Sequence, residues 1–231
     1  MIQSNILAPG LFSNDAQSVN FREICMGEIA PKTLFRSSHP IKENKQEKII
    51  SQLAGFTKIS SVINLSDTSS GITSKAIFAP WYNDLLKKDR VVALGMDFSF
   101  SSDGFKRKLK EVIKFILRTE GPWLIHCHAG VDRTGFVSIV LESFMGAPLD
   151  NVINDYLKSF NSGFESDIFG NTEKTDVQTA MQVISSMSDT EIINEQNLQQ
   201  IAEIYLLQKV GITEEEAELL RLKLSGKKIF D

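Results

Sequence analysis

The chain has 231 residues, 42% hydrophobic and 23% charged, which excludes wholesale disorder and supplies apolar side chains for a sizeable core in one domain. Its formal net charge of -4 excludes the global basic field that non-specific nucleic-acid binding needs. Two cysteines, Cys25 and Cys127, cannot build a disulfide framework, no uncharged run approaches the ~20 residues of a membrane span, and Met1 to Gln17 lacks a signal-peptide pattern. The expectation is a cytoplasmic protein with reduced thiols, with export as an effector left open.

Short apolar runs alternate with helical patterns, without internal repeats or low-complexity tracts, and this order suggests an α/β fold. Thr33 to Arg36 reads as a short strand, and Ile41 to Gln52 as a surface helix turning Ile49, Ile50 and Leu53 inward. Ser61 to Leu65 reads as a buried strand, Asp67 to Ser74 as a loop, and Arg90 to Leu94 as another buried strand followed by a long loop. Ser101, Ser102 and Asp103 are capping residues ahead of Phe105, Leu109, Val112, Ile113 and Ile116 at helical spacing, and Gly121-Pro122 stops that helix. Trp123 to Ile125 is a further apolar run. After a tight polar loop, Phe136, Val137, Val140, Leu141 and Phe144 make a helical stripe ended by Gly146-Ala147-Pro148. Beyond Asp150 the chain reads as helices around Val152 to Phe160, Val177 to Met187, Asn197 to Val210 and Glu214 to Ser225, with start signals at Asp189-Thr190 and at Thr213 with Glu216. Asn161 to Thr175 has the composition of a surface loop.

Between the apolar run and the helical stripe stand His126, Cys127, His128, Ala129, Gly130, Val131, Asp132, Arg133, Thr134 and Gly135. A cysteine ending a buried strand, five residues, then an arginine at a helix start can form a cradle whose backbone N–H groups converge on one tetrahedral anion. The lining runs from His128 to Arg133: long enough to encircle a phosphate, short enough for the Cys127 sulfur and the Arg133 guanidinium to meet the same ligand. Gly130 permits the backbone turn, and Arg133 can hold two equatorial oxygens in a bidentate fork, which lysine cannot. Inward amides and the helix dipole favour a Cys127 thiolate, which the Thr134 hydroxyl is placed to stabilise, while His126 orients the loop by hydrogen bonds. The implied chemistry is in-line attack of Cys127 on a phosphomonoester phosphorus, giving a cysteinyl-phosphate that water hydrolyses, with no metal or cofactor.

His-Cys-x5-Arg-Thr-Gly with Gly130 in place is the signature of the cysteine-dependent protein tyrosine phosphatase superfamily, which the chain resembles. Asn20 to Ile24, Leu34 to Ser38, Val62 to Leu65, and the tail Val210 to Thr213 with Leu219, Leu220 and Arg221, are similar to landmarks of bacterial tyrosine, dual-specificity and phosphoinositide phosphatases of the mycobacterial protein tyrosine phosphatase B type. The resemblance implies a central, mostly parallel sheet flanked by helices. It implies a single phosphatase-like domain over 1–231, with a catalytic core over approximately 20–160 and a helical C-terminal extension over 161–231. The expected activity is that of a protein tyrosine or dual-specificity phosphatase, with phosphoinositides as a variant substrate. Its partners are then phosphorylated proteins, phosphoinositides or inositol phosphates, and not nucleic acid. Two alternatives stand beside it: an inositol polyphosphate phosphatase, which needs a wider basic rim, and a pseudophosphatase that only holds a phosphorylated partner. Val131 replaces the subgroup's usual lysine, removing a cation for a second phosphate, and Asn64-Leu65-Ser66 replaces its Asp-Leu-Arg.

A leaving alkoxide or phenolate needs a proton, so a general acid must lie near the cradle. Asp97, thirty residues before Cys127 and just after the Arg90 to Leu94 strand, stands where superfamily members usually carry it. Asp132, inside the loop, is the rival, because myotubularin-like phosphatases carry a loop aspartate there. Asp103 has a complete structural role as a helix cap. Arg22 and Arg36 read equally as pocket residues for a second anionic group and as ion-pair partners. His126 and His128 form an H-x-H pair without a third ligand, so no metal site is expected. Cys25 reads as structural, and His39, before Pro40, as the end of a turn.

Overall fold

The computed structural model describes residues 13–41, 45–77, 79–160 and 176–227. Alternation of large apolar residues builds its sheet. Strands β1 (Arg22–Ile24), β2 (Leu34–Ser37), β3 (Ser61–Asn64), β4 (Val91–Ala93) and β5 (Trp123–His126) lie in the order β1-β2-β5-β3-β4. β1 is antiparallel to β2 and every other pairing is parallel, so the expected mostly parallel sheet is the one observed. Leu34, Ile63, Trp123 and Ile125 face one apolar core, and their neighbours Phe35, Val62 and Leu124 face a second on the opposite side.

The second core is closed by α1 (Ser13–Ser18), α2 (Lys45–Phe56), α3 (Ser69–Ala76) and α4 (Pro80–Lys87), through residues such as Ala16, Leu53, Ile72 and Tyr82. The first and larger core is built by α5 (Asp103–Arg118), α6 (Asp132–Phe144), α7 (Leu149–Lys158), α8 (Val177–Ser185), α9 (Leu198–Ile204) and α10 (Glu214–Leu224). α6 is buried along its whole length, which a helix tolerates only at the centre of a larger core. Among the described residues no helix is long and apolar enough to cross a membrane.

Register decides where the site lies. Ser37, His126 and Asn64 are partners across the three central strands, and Asn64 pairs in turn with Ala93. The four parallel strands therefore release their C-terminal loops side by side, at the edge where open α/β sheets bind ligands.

Several expectations are corrected. Asp67 to Ser74 is not a loop throughout, because the Thr68 side chain accepts from Gly71 N–H and caps α3, which buries Ile72 and Ala76 at a four-residue spacing. Ser102, not Asp103, caps α5; Asp103 is its first helical residue. Asp189-Thr190 starts no helix, and the next one begins at Leu198. α9 continues as a π-helix over Tyr205–Val210, which Gly211 ends at a φ of +78°. α1, α4 and the three-residue β1 carry too little periodicity to read from sequence. The loop expected over Asn161 to Thr175 lies outside the described residues. At the C-terminus, the anticipated capping box of Thr213 and Glu216 is present on α10.

Candidate active site

β5 ends at His126 and α6 begins at Asp132, so the turn between them runs from the sheet edge straight into a helix N-terminus. No side chain caps α6. Its first amides have no intrahelical partner and, with the helix dipole, favour an anion there. Cys127 is buried at the bottom of this turn, and Gly130 N–H points at its Sγ from 3.3 Å.

The loop's carbonyls are held from the outside. Cys127 O accepts from His126 Nδ1 at 3.2 Å, His128 O from His39 N–H at 3.1 Å, and Gly130 O from Asn20 Nδ2 at 3.0 Å and Arg36 Nη2 at 2.8 Å. Asn20 Nδ2 also reaches Ala129 O at 3.5 Å. In a planar trans peptide the N–H points opposite to its C=O. Pulling these carbonyls outward therefore turns the amides of His128, Ala129, Gly130 and Val131 toward the concave side. Gly130 has a φ of +75°, and a Cβ there would lie 2.4 Å from Ser37 O, so the turn admits only glycine. A Cβ on Gly135 would lie 2.7 Å from the Tyr156 ring, which packs against the first turn of α6.

His126 is held at both nitrogens. Nδ1 donates to Cys127 O, and Tyr82 Oη lies 3.2 Å from Nε2 while accepting from Asn64 Nδ2 at 3.2 Å. Burial, then the neighbouring His39, pushes the His126 pKa well below its ordinary value, so the neutral ring accepts from Tyr82. His39, expected only to end a turn, is buried beneath the loop with Nε2 2.6 Å from Asp67 Oδ2.

Arg133 reaches over the cradle. Its Nη1 donates to Met96 O at 3.1 Å, and its guanidinium carbon lies 4.2 Å from the centre of the Phe98 ring. Asp97 sits between these two contacts, exposed, with Oδ1 accepting from Ser99 N–H at 2.9 Å. Phe100, at the end of this segment, stacks on Phe136 of α6 at 4.4 Å and fixes the segment to the helix that carries Arg133. Asp132 is buried at the start of α6, where burial and its charge push the Tyr156 phenol up. Asp103 is exposed and pairs with Lys106 at 3.6 Å. The Thr134 hydroxyl, expected on the thiolate, is buried without a hydrogen-bond partner among the described residues. The His128 side chain is exposed, and Ala129 and Val131 are buried.

Arg22 and Arg36 do not face the cradle opening. Both bind Asp155 of α7, Arg22 Nε at 2.8 Å and Arg36 Nη1 at 2.7 Å. Arg36 is fully buried, and burial, then the charge of Arg22, lowers its pKa to about 10. Asp155 and Ser159 carry no motif that sequence reading could recognise. Cys25 is half-buried, and burial, then Glu23, pushes its thiol up, in keeping with a structural residue.

Comparison with known proteins matches residues 16–226 to the tyrosine phosphatase family. That match bears out the resemblance read from the loop and the cysteine-dependent phosphatase class it implied. A 60-residue stretch is 40% identical to triple specificity protein phosphatase PtpB of Mycobacterium tuberculosis, covering 26% of this chain and only 21% of that protein. The core catalytic domain of the PP-IP phosphatase SIW14 from S. cerevisiae, solved with citrate, aligns over 87% of this chain and 94% of its own at 17% identity and a TM-score of 0.46.

Proposed function

Since the chain belongs to the tyrosine phosphatase family, we propose that it hydrolyses phosphomonoesters through a cysteinyl-phosphate on Cys127, with phosphotyrosine proteins as its main substrates. The observation that carries this is the Gly130 amide aimed at the Cys127 sulfur inside a loop whose carbonyls from Cys127 to Gly130 are held from the outside. Inward amides and the α6 N-terminus bind the three non-bridging oxygens, and Arg133 adds a fork to two of them. Sγ attacks phosphorus in line, the P–O bond to the leaving group breaks, and that oxygen takes a proton from Asp97. Water, giving a proton to Asp97, then attacks phosphorus, and the S–P bond breaks to release phosphate and the Cys127 thiolate.

Substrate choice rests on the rim. Phe98 is 39% exposed beside Arg133 and offers a face to an aromatic leaving group. The two arginines that could have read a second phosphate are committed to Asp155, and buried Val131 occupies the position of the subgroup's usual lysine. These features favour an aryl monophosphate over an inositol polyphosphate.

The test is turnover in EDTA of p-nitrophenyl phosphate, a phosphotyrosine peptide and soluble phosphoinositides by wild type and Cys127→Ser. Activity on the aryl substrates that disappears with the sulfur is the expected result. Phosphate binding without turnover by wild type would replace the enzyme with a phosphate-holding module.

A further inference from the structure

Behind the cradle lies an ion cluster that the reaction as described does not use. Asp155 stands at its centre. One carboxylate oxygen takes Arg22 Nε at 2.8 Å, the other takes Arg36 Nη1 at 2.7 Å, and the Asp155 carbonyl takes Arg22 Nη2 at 2.8 Å. Ser159 Oγ, one turn along, accepts from Arg22 Nη2 at 2.9 Å and Arg36 Nη2 at 3.1 Å. Both arginines also reach forward. Arg36 Nη2 donates to Gly130 O, while Arg22 Nη1 donates to Asn20 Oδ1, which turns Asn20 Nδ2 onto the same carbonyl.

Both routes from one carboxylate therefore end on one oxygen, 2.8 and 3.0 Å away. A carbonyl with two donors cannot rotate without breaking both, and its peptide partner is the Val131 N–H. Burial alone would push the Asp155 carboxyl up, but the two guanidiniums outweigh it and hold the group ionised, well below the usual carboxylate range. Buried ion clusters of this kind contribute little net stability, because desolvation offsets most of the attraction. What this one supplies is direction.

We infer that Asp155 is a positioning residue for the anion cradle, acting through Arg36 and through Arg22 and Asn20 to hold the Gly130–Val131 peptide with its N–H toward the bound phosphate. The inference rests on the phosphatase reading for its meaning but not for its test, since cradle geometry can be read without turnover.

The experiment uses the full chain in a Cys25→Ser background, so that Cys127 is the one reactive thiol. Wild type, Asp155→Asn, Asn20→Ala and the control Arg221→Met, which removes an ion pair with Glu203 outside the cluster, are compared. Three quantities are measured: the dissociation constant for inorganic phosphate, the iodoacetamide alkylation rate of Cys127 at pH 6, and Tm. Asp155→Asn is expected to weaken phosphate binding and slow alkylation about 10-fold each, the scale expected when reacting groups are misplaced by a fraction of an ångström. Asn20→Ala should do the same more weakly, and Arg221→Met should lower Tm alone. If Asp155→Asn does not fold, Asn20→Ala decides. Phosphate affinity and alkylation equal to wild type, with only Tm reduced, would make the cluster structural and overturn the inference. Wild type that binds phosphate in this cluster-dependent way but never turns over a phosphomonoester would sink the phosphatase reading and leave the inference standing; wild type that binds no phosphate would sink both.

Discussion

The two faces of the loop from Cys127 to Arg133 are built on opposite plans. Its concave face takes everything from one stretch of chain: a thiol, a run of amides and a guanidinium within seven residues. Its outer face is assembled from Asn20, Arg36, His39 and His126, and through them from Arg22, Tyr82, Asp67, Asp155 and Ser159, with partners up to 137 residues apart. The difference teaches that the groups proposed to perform the chemistry and those proposed to aim them answer to different constraints. Five intervening residues set by the size of one anion are a local requirement, whereas holding four carbonyls outward requires donors wherever the fold can bring them.

The sharpest way to probe that division is at Arg133. Arg133→Lys keeps the charge but loses the fork, and it is expected to lower kcat/KM by about 10²- to 10³-fold with little change in Tm, as steady-state kinetics beside thermal melting would show. An effect confined to Tm would mean that Arg133 belongs with the outer face. Gly130→Ala strikes both faces at once, because its Cβ meets Ser37 O at 2.4 Å and the residue would sit at a φ of +75°. A loss of about 100-fold in kcat/KM, with a fall in stability of about 2 kcal/mol, is expected in kinetics and chemical denaturation.

Asp97→Asn tests the exposed segment opposite the cradle. Turnover of poor alkyl leaving groups should fall about 10²-fold or more, and turnover of p-nitrophenyl phosphate far less, because nitrophenolate leaves without a proton. Equal losses on both substrates would move the acid to Asp132 or away from any side chain. The smallest effect is expected at Glu142, which lies beside the outer-face cluster with no hydrogen-bond partner for either carboxylate oxygen among the described residues. Burial, then the charge of Asp155, pushes its carboxyl well above the ordinary range. The unfolded group ionises near pH ~4.3, so folding takes up a proton above that pH, and stability falls as pH rises until the folded group ionises too. Glu142→Met should therefore raise stability by about 1 kcal/mol, about 3 °C in Tm, more at pH 8 than at pH 5. A destabilised Glu142→Met would show that this carboxyl also belongs to the support.

Reading by period worked where elements are long and one-sided. The stripe of Phe105, Leu109, Val112, Ile113 and Ile116 lies buried on α5, and the expected strands at Ser61 and Trp123 are β3 and β5. It failed at α3, where the serine- and threonine-rich stretch around Thr68 and Gly71 looks like a loop until its cap and two buried residues are seen together. At the site, Cys127, Gly130 and Arg133 were legible because spacing alone constrains them. Arg22 and Arg36 were noticed, but whether they faced the ligand or an ion pair was open, since either role needs the same charge.

By itself, then, the sequence determined the proposed nucleophile, the arginine and the loop between them, because a phosphate-sized turn depends on backbone geometry that neighbouring residues carry with them. Only the tertiary structure decided that Asp155 captures Arg22 and Arg36, that His39 lies beneath the loop, and that Met96 and Phe98, on either side of Asp97, contact Arg133. These contacts depend on which buried polar groups meet when the strands align in register. Most buried donors and acceptors find a partner whatever its distance along the chain, so the choice is written in the packing and not in the spacing.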